Sequence, residues 1–135
     1  MAKNKMLYLW QLPQNLIGLL LTFYYKAQRI HVLDNGVEIH YSPKMRGGIS
    51  LGKYIIVNTY HYRSTIKSSL KREVVQHELG HTKQSEKLGW MYLLIIGIPS
   101  IIWAMLYGRV VNESKNGYYK FYTERWADKL AGIER

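Results

Sequence analysis

The sequence predicts an α+β fold in which helices flank a small antiparallel sheet. Two observations support this prediction. Apolar residues recur at helical spacing between residues 68 and 87, and they alternate with polar residues on both sides of a tight-turn sequence at 34–36. A chain of 135 residues has the size of one domain with a modest core. We therefore expect residues 1–135 to fold as a single unit.

The first apolar segment covers residues 7–25, and residues 16–25 are its most apolar part. Pro13 can open a helix that runs to about Ala27. The most apolar part is about half as long as the roughly 20 residues that a spanning helix needs. No small-x-small cleavage site follows, so we expect the segment to be retained rather than removed as a signal peptide. A core helix and a helix that contacts a membrane are both possible, and we expect membrane contact.

The sheet is predicted from two regions. Residues 28–41 alternate around the sequence DNG at 34–36, which is typical of a β-hairpin. Pro43 and the pair at 47–48, both glycines, predict a loop. The sequence KYIIVN at 53–58 predicts a further strand.

The strongest chemical signal is the sequence HELGH at 77–81. It falls in a helix predicted over about 68–87, and positions four apart on a helix share one face. His77 and His81 can therefore bind one metal ion, and the intervening Glu78 can reach a water molecule on that ion. Imidazole nitrogen suits zinc, which lowers the pKa of its water toward about 7. A carboxylate beside this water can take its proton and pass it to a leaving amine. The motif predicts a Zn²⁺ site with Glu78 as the general base.

Any ligand in this chain must be a histidine, an aspartate or a glutamate, because the chain has no cysteine. A catalytic zinc takes three protein ligands and keeps one position open. His31, His40 and His61 have no partner at metal-ligand spacing, so we do not expect them to bind metal. No histidine follows His81, which excludes a site with a third, later histidine.

The candidates for the third ligand are acidic residues. Glu86 points away from the histidine face of its helix, and Glu113 falls in a predicted loop. Glu124 lies in a helix predicted over 118–132, and Asp128 shares its face because four residues separate them. Glu124 as a ligand and Asp128 as acceptor for the other N–H of a ligand histidine form a coherent pair. The sequence TERWAD also fits a solvated acidic edge on a basic helix.

HELGH followed by ERWAD resembles the HExxH…ExxAD arrangement of membrane-bound zinc metallopeptidases of the CAAX prenyl-protease and bacterial heat-shock peptidase group, and more widely of the gluzincins. The resemblance covers the two motif helices and the apolar segment between them. It implies a minimal zincin fold, with zinc bound by His77, His81 and Glu124, Glu78 as base and Asp128 orienting His77. The chain is far shorter than those enzymes and lacks their full set of membrane helices, so their substrates are not implied. It also resembles small bacterial proteins with an HExGH motif, which implies a bacterial source.

The resemblance extends to substrate binding and to the transition state. In zincins a strand before the motif helix pairs with the extended substrate, and KYIIVN is placed to do this. A Tyr or His donor commonly helps the metal to stabilise the oxyanion. Tyr118, Tyr119 and Tyr122 lie close to Glu124 in the sequence, and we expect Tyr122 to be this donor.

Residues 90–107 are the most apolar segment of the chain. If His77, His81 and Glu124 bind one metal, they lie on one side of any membrane, so this segment cannot be a single span. The sequence GIPS at 97–100 predicts a turn at its middle. Each arm would be roughly 12 Å long as a helix, too short for a hydrocarbon core of about 30 Å. We expect a helical hairpin that dips into one leaflet or packs on the first apolar helix. A wholly buried soluble core is the alternative.

The formal net charge of +10 indicates which kinds of partner the chain binds. Lys and Arg residues flank both apolar segments and accompany no nucleic-acid motif, which favours an anionic membrane surface over nucleic acid. We therefore predict a membrane-associated zinc metalloendopeptidase that hydrolyses a peptide or protein substrate with zinc-activated water. One alternative is a non-proteolytic zinc-binding membrane protein, such as a regulator or an immunity-type factor. Another is a basic adaptor with an accidental motif.

Overall fold

The structure of the chain, a computed structural model, describes residues 2–45, 48–110 and 119–134. Six α-helices and four β-strands within these residues form an α+β fold, which confirms the predicted class. In chain order they are α1 (Ala2–Trp10), α2 (Leu12–Tyr24), β1 (Gln28–Val32), β2 (Glu38–Ser42), β3 (Gly48–Leu51), β4 (Tyr54–Asn58), α3 (Ile66–Leu70), α4 (Glu73–Leu88), α5 (Ile98–Val110) and α6 (Tyr122–Ala131).

The four strands form one mixed sheet in the order β1-β2-β4-β3. Strands β1 and β2 pair antiparallel, as do β3 and β4, but β2 and β4 are parallel. The prediction of an antiparallel sheet is therefore wrong for the central pair. The reason lies in β4, where Ile55, Ile56 and Val57 are at most 1% exposed. Consecutive apolar residues need cover on both faces of a sheet, which a central strand provides.

The two hairpins allow the predicted turns to be compared with those in the structure. The turn between β1 and β2 is the predicted one, and the Gly36 N–H donates to the Leu33 carbonyl at 2.9 Å. The predicted loop at 43–48 is wrong at Gly48, which begins β3. Strand β4 was predicted, but it has a neighbour on each edge, so the expectation that KYIIVN pairs with substrate is wrong.

The sheet lies between two helices. Helix α4 covers one face, where Val75 packs with Ile39 and Val57 in the main buried cluster. Helix α2 covers the other face so closely that a Cβ on Gly18 would lie 2.8 Å from the Leu51 carbonyl oxygen. This arrangement fixes α4 against the edge formed by β3.

Helix α4 starts later than predicted, at Glu73, because α3 forms a separate short helix before it. The helix ends at Leu88, and Gly89 follows with a positive φ of 55°, as expected for a residue that stops a helix. Helix α6 is likewise followed by the predicted Gly132, in the left-handed conformation.

The expected hairpin at 97–100 is wrong. A π-helical turn, Leu93–Gly97, runs directly into α5, and Pro99 sits in the first turn of α5, where its missing N–H is tolerated. The chain reverses earlier, because the segments Glu73–Met91 and Leu93–Tyr107 are bent by 120°. Among the described helices, none alone has the length and apolarity of a membrane span. The two bent segments reach that length and apolarity only when they are taken together.

Candidate metal centre

Helices α4 and α6 pack side by side and present their polar residues to each other. The contact is closest at Gly80, where a Cβ would lie 2.0 Å from the Ala127 carbonyl oxygen. Because Gly80 lies between His77 and His81 on α4, this contact places α6 directly against both imidazole rings. The rings themselves are 4.8 Å apart between centroids and nearly perpendicular.

Both histidines direct Nε2 at one oxygen of Glu124. The distance from Oε1 of Glu124 to Nε2 is 3.3 Å for His77 and 3.2 Å for His81. The His77 and His81 residues are each 4% exposed and Glu124 is 2% exposed. Ligands about 2.0–2.2 Å from a tetrahedral zinc are separated by about 3.3 Å, so these separations fit a shared metal ion.

The other ring nitrogens are also engaged. Nδ1 of His77 lies 2.8 Å from Oδ1 of Asp128, and Nδ1 of His81 lies 2.7 Å from Oε1 of Gln84. Both partners are acceptors, so each Nδ1 carries the proton and donates it. In a neutral imidazole this leaves the lone pair on Nε2, the nitrogen that faces Glu124. Both rings therefore present the atom that binds a metal.

The second oxygen of Glu124 accepts two hydrogen bonds. The hydroxyl of Thr123 donates to Oε2 at 2.6 Å, and that of Ser100, on α5, donates at 2.8 Å. Burial alone would raise the pKa of Glu124, but the hydrogen bonds with His77 and His81 hold it far below its ordinary value. The carboxylate is thus ionised, which a metal ligand must be.

The pKa values of the two histidines shift in the opposite direction. Burial would lower the pKa of His81, but the hydrogen bond to Glu124 and the charge of Glu78 raise it to about 9. The pKa of His77 is raised as well, against its own burial, by Glu124 and Glu78. Without a metal, protons on these rings balance the buried carboxylates, and a divalent cation can take over that balance.

Glu78 lies beside this group with an unused oxygen. The ligand atoms of His77, Glu78 and His81 all lie within 4.8 Å of one another, so the three buried residues can hold a metal ion. Oε2 of Glu78 is buried and has no hydrogen-bond partner, and burial raises the pKa of this carboxyl group. Strand β3 supports the side chain, since a Cβ on Gly48 would lie 3.1 Å from Cγ of Glu78.

A cavity of about 790 Å³ opens onto these residues. Its walls come from β3, from α4, from the π-helical turn, from α5 and from the start of α6. The four polar residues already described, His77, Glu78, His81 and Glu124, all line it. Four tyrosines, Tyr25, Tyr92, Tyr107 and Tyr119, also line it.

The expected oxyanion donor, Tyr122, is not brought to this group. Its hydroxyl donates to the Ile95 carbonyl at 2.6 Å, and the residue is 45% exposed. It heads α6, and its side chain lies on a different face from that of Glu124. Tyr119 takes the nearer position, with its ring 4.9 Å from the ring of His77 between centroids. Tyr118 lies outside the described residues.

The remaining candidates lie apart from the metal group. His31 contacts Ser69 and the Arg63 carbonyl, and His40 contacts Glu38. His61 lines the cavity but bonds with Arg72. Glu86 does not line the cavity, and Glu113 lies outside the described residues.

Three contributors were missed from the sequence: Gln84, Thr123 and Ser100. Gln84 follows His81 by three residues on the same helical face, so its spacing alone could have identified it. Thr123 directly precedes Glu124, so its contact is local as well, whereas Ser100 has no such signal because its contact depends on how α5 packs against α6. Comparisons with protein-family models, with curated proteins and with solved structures gave no match.

The helix contact leads to a first prediction. We expect Gly80→Ala to lower the free energy of unfolding by about 1–3 kcal/mol, the usual cost of overpacking, and to reduce the bound metal, because α6 must move away with Glu124. Urea unfolding and elemental analysis measure both. Gly97→Ala is the control, since its Cβ would approach nothing closer than the flexible Leu93 side chain at 3.2 Å. A Gly80→Ala variant as stable and as metal-rich as the control would contradict the proposed packing.

Proposed function

We propose that the chain is a membrane-associated zinc metallopeptidase. The observation that carries the proposal is the convergence of His77 and His81 on Glu124, with the unpaired carboxylate oxygen of Glu78 beside them in one cavity. Two imidazoles and one carboxylate are a ligand set of catalytic zinc, and an adjacent carboxylate is the base that such a centre needs. The resemblance to zincins points in the same direction.

The residues have distinct roles in this proposal. Zinc, when bound, lowers the pKa of a water molecule and polarises the substrate carbonyl. His77, His81 and Glu124 hold the ion, while Asp128 and Gln84 keep each Nδ1 protonated so that Nε2 stays available. Glu78 accepts the proton of the attacking water and delivers it to the leaving amine. Its raised pKa suits a group that must both take and give a proton.

Strand β3 is the element that we propose for substrate binding. It is an edge strand, it lines the cavity, and Gly48 lies against Glu78. An extended peptide can add to such an edge through main-chain hydrogen bonds. In this proposal β3 takes the place that the sequence suggested for β4.

Helix α5 supports the membrane part of the proposal. Most of its residues are apolar, and Ile98, Ile102 and Leu106 are each about half exposed. A helix of this kind is stable only when it is covered by apolar surroundings. Exposed apolar residues also cover α2, where Leu20 and Phe23 are 67% and 73% exposed. The basic charge of the chain favours anionic lipid as the cover.

The metal site yields a prediction on metal content. We expect about one zinc per chain in the wild type and a loss of at least tenfold in affinity in His81→Ala and in Glu124→Ala, because each removes one of three ligands. Elemental analysis and competition with a chromogenic chelator measure this. Glu86→Ala, on the same helix as His81, is the control and keeps its zinc. A wild type without zinc would overturn the proposal, and zinc retained in Glu124→Ala would remove the third ligand.

The base yields a prediction on catalysis. We expect Glu78→Gln to keep zinc and to lower peptide cleavage by about 10²–10⁴-fold, the usual contribution of a positioned general base. Cleavage of a mixed peptide library, followed by mass spectrometry, measures the rate. Equal activity in wild type and variant would exclude Glu78 as the base.

One observation favours the non-proteolytic alternative, since Tyr122 donates to Ile95 and not into the cavity. That alternative predicts a zinc-loaded wild type that cleaves nothing.

The apolar helix yields a prediction on lipid binding. We expect the wild type to sediment with vesicles that contain phosphatidylserine, and the double variant Ile102→Asp, Leu106→Asp to bind at least tenfold more weakly. Each buried aliphatic side chain contributes about 1.5–3 kcal/mol, and 1.4 kcal/mol corresponds to tenfold in affinity. Ile30→Asp is the control, since Ile30 is an exposed apolar residue on β1, 42% exposed. Equal sedimentation of the double variant and this control would exclude α5 as the lipid-binding element.

A further inference from the structure

A cationic side chain lines the same cavity as the metal group and has no part in the proposed catalysis. Arg72 precedes α4, and its Nη2 donates to Nδ1 of His61 at 3.0 Å. The guanidinium also lies over the ring of Tyr60, 5.4 Å from its centroid. These two contacts hold the head of the side chain in place at the cavity wall.

The charge of Arg72 is not balanced within the described part of the chain. There, no carboxylate lies within 4.0 Å of its nitrogens, although Glu73 follows it and lines the same cavity. Its Nε is buried and has no hydrogen-bond acceptor. A guanidinium has five N–H donors in a planar fork, and a carboxylate is the acceptor that fits this fork.

The position of Arg72 relative to the metal group sets the spacing. Arg72 lies five residues before His77, which corresponds to about 7.5 Å along the helix axis. An extended peptide advances about 3.3 Å per residue. The arginine side chain adds to or subtracts from this backbone distance, so a carboxylate at Arg72 would belong to a residue within a few positions of the bond held beside Glu78.

We propose that Arg72, whose guanidinium is held by His61, binds a carboxylate of the substrate within a few residues of the cleaved bond. The carboxylate is either an acidic side chain or the free C-terminus of the peptide, and both offer the same two oxygens. This inference rests on the proposed peptidase function for the position of the bond, but the binding of a carboxylate in the cavity does not need catalysis. The cavity then holds a cationic recognition group and a metal group, and α5 contributes apolar residues to its wall.

The test uses alanine-rich peptides in which one Glu is moved along the chain, with Gln counterparts and with free or amidated C-termini. The zinc-loaded wild type is expected to prefer Glu over Gln, or a free over an amidated C-terminus, by at least tenfold at one spacing, since a charge-assisted hydrogen bond contributes about 1.5–3 kcal/mol. Which of the two preferences appears distinguishes the source of the carboxylate. Arg72→Gln is expected to abolish the preference by raising the KM for the acidic peptides toward that for the Gln peptides, with zinc content unchanged. Lys71→Gln removes the same charge from an exposed neighbour outside the cavity and is expected to keep the preference.

A binding measurement separates this proposal from the proposed function. Calorimetric titration of the zinc-loaded Glu78→Gln protein with the same peptides reports carboxylate binding without cleavage. Weaker binding of the acidic peptides in Glu78→Gln, Arg72→Gln supports the carboxylate site even if the wild type cleaves nothing. Arg72→Lys, which keeps the charge but not the fork, is expected to recover part of the affinity. Equal affinity for Glu and Gln peptides, or a preference that survives in Arg72→Gln, would overturn the proposal.

Discussion

A carboxylate that is 2% exposed and still ionised must be surrounded by donors or cations, and Glu124 is in this position. Two hydroxyls satisfy its Oε2, and two imidazoles face its Oε1. Those imidazoles are held by acceptors at their other nitrogens, so rotation of either ring would break a buried hydrogen bond. The group is therefore rigid before any ligand binds. Positive charge between the rings and the carboxylate, as protons or as a metal ion, is the condition on which this arrangement depends.

The packing of α4 on α6 brings the imidazole rings and the carboxylate together without needing a large apolar core. The helices touch at Gly80 and Ala127, and only small residues allow backbones to approach this closely. Around this contact the polar side chains cross from one helix to the other, including the Gln84 amide that donates to the Thr123 carbonyl at 2.9 Å. The same glycine that shortens the distance lies inside HELGH, and the alanine lies inside ERWAD. Each motif thus contains both the polar groups and the small residue that brings them together.

The sequence was informative where structure is local and less so where it is tertiary. Spacing on a helix is a local property, so the shared face of His77 and His81, and that of Glu124 and Asp128, could be predicted, and the structure brings all four residues together. The order of the strands depends on which edge β3 takes, and no local pattern encodes that choice. The predicted turn at 97–100 failed because a π-helical turn precedes Pro99 and keeps the helix continuous. Tyr122 was a candidate by proximity in sequence, whereas its place at the start of α6 directs it toward Ile95.

Helix α5 links the outside of the molecule to the centre. Ile101 and Met105 line the cavity, Ile102 and Leu106 do not, and all four side chains are about half exposed. The same element also reaches the metal group, because the Ser100 hydroxyl donates to Glu124. A displacement of α5 would at once widen the cavity and remove a hydrogen bond from the buried carboxylate. A covering surface that holds α5 in place therefore acts on the geometry of the site.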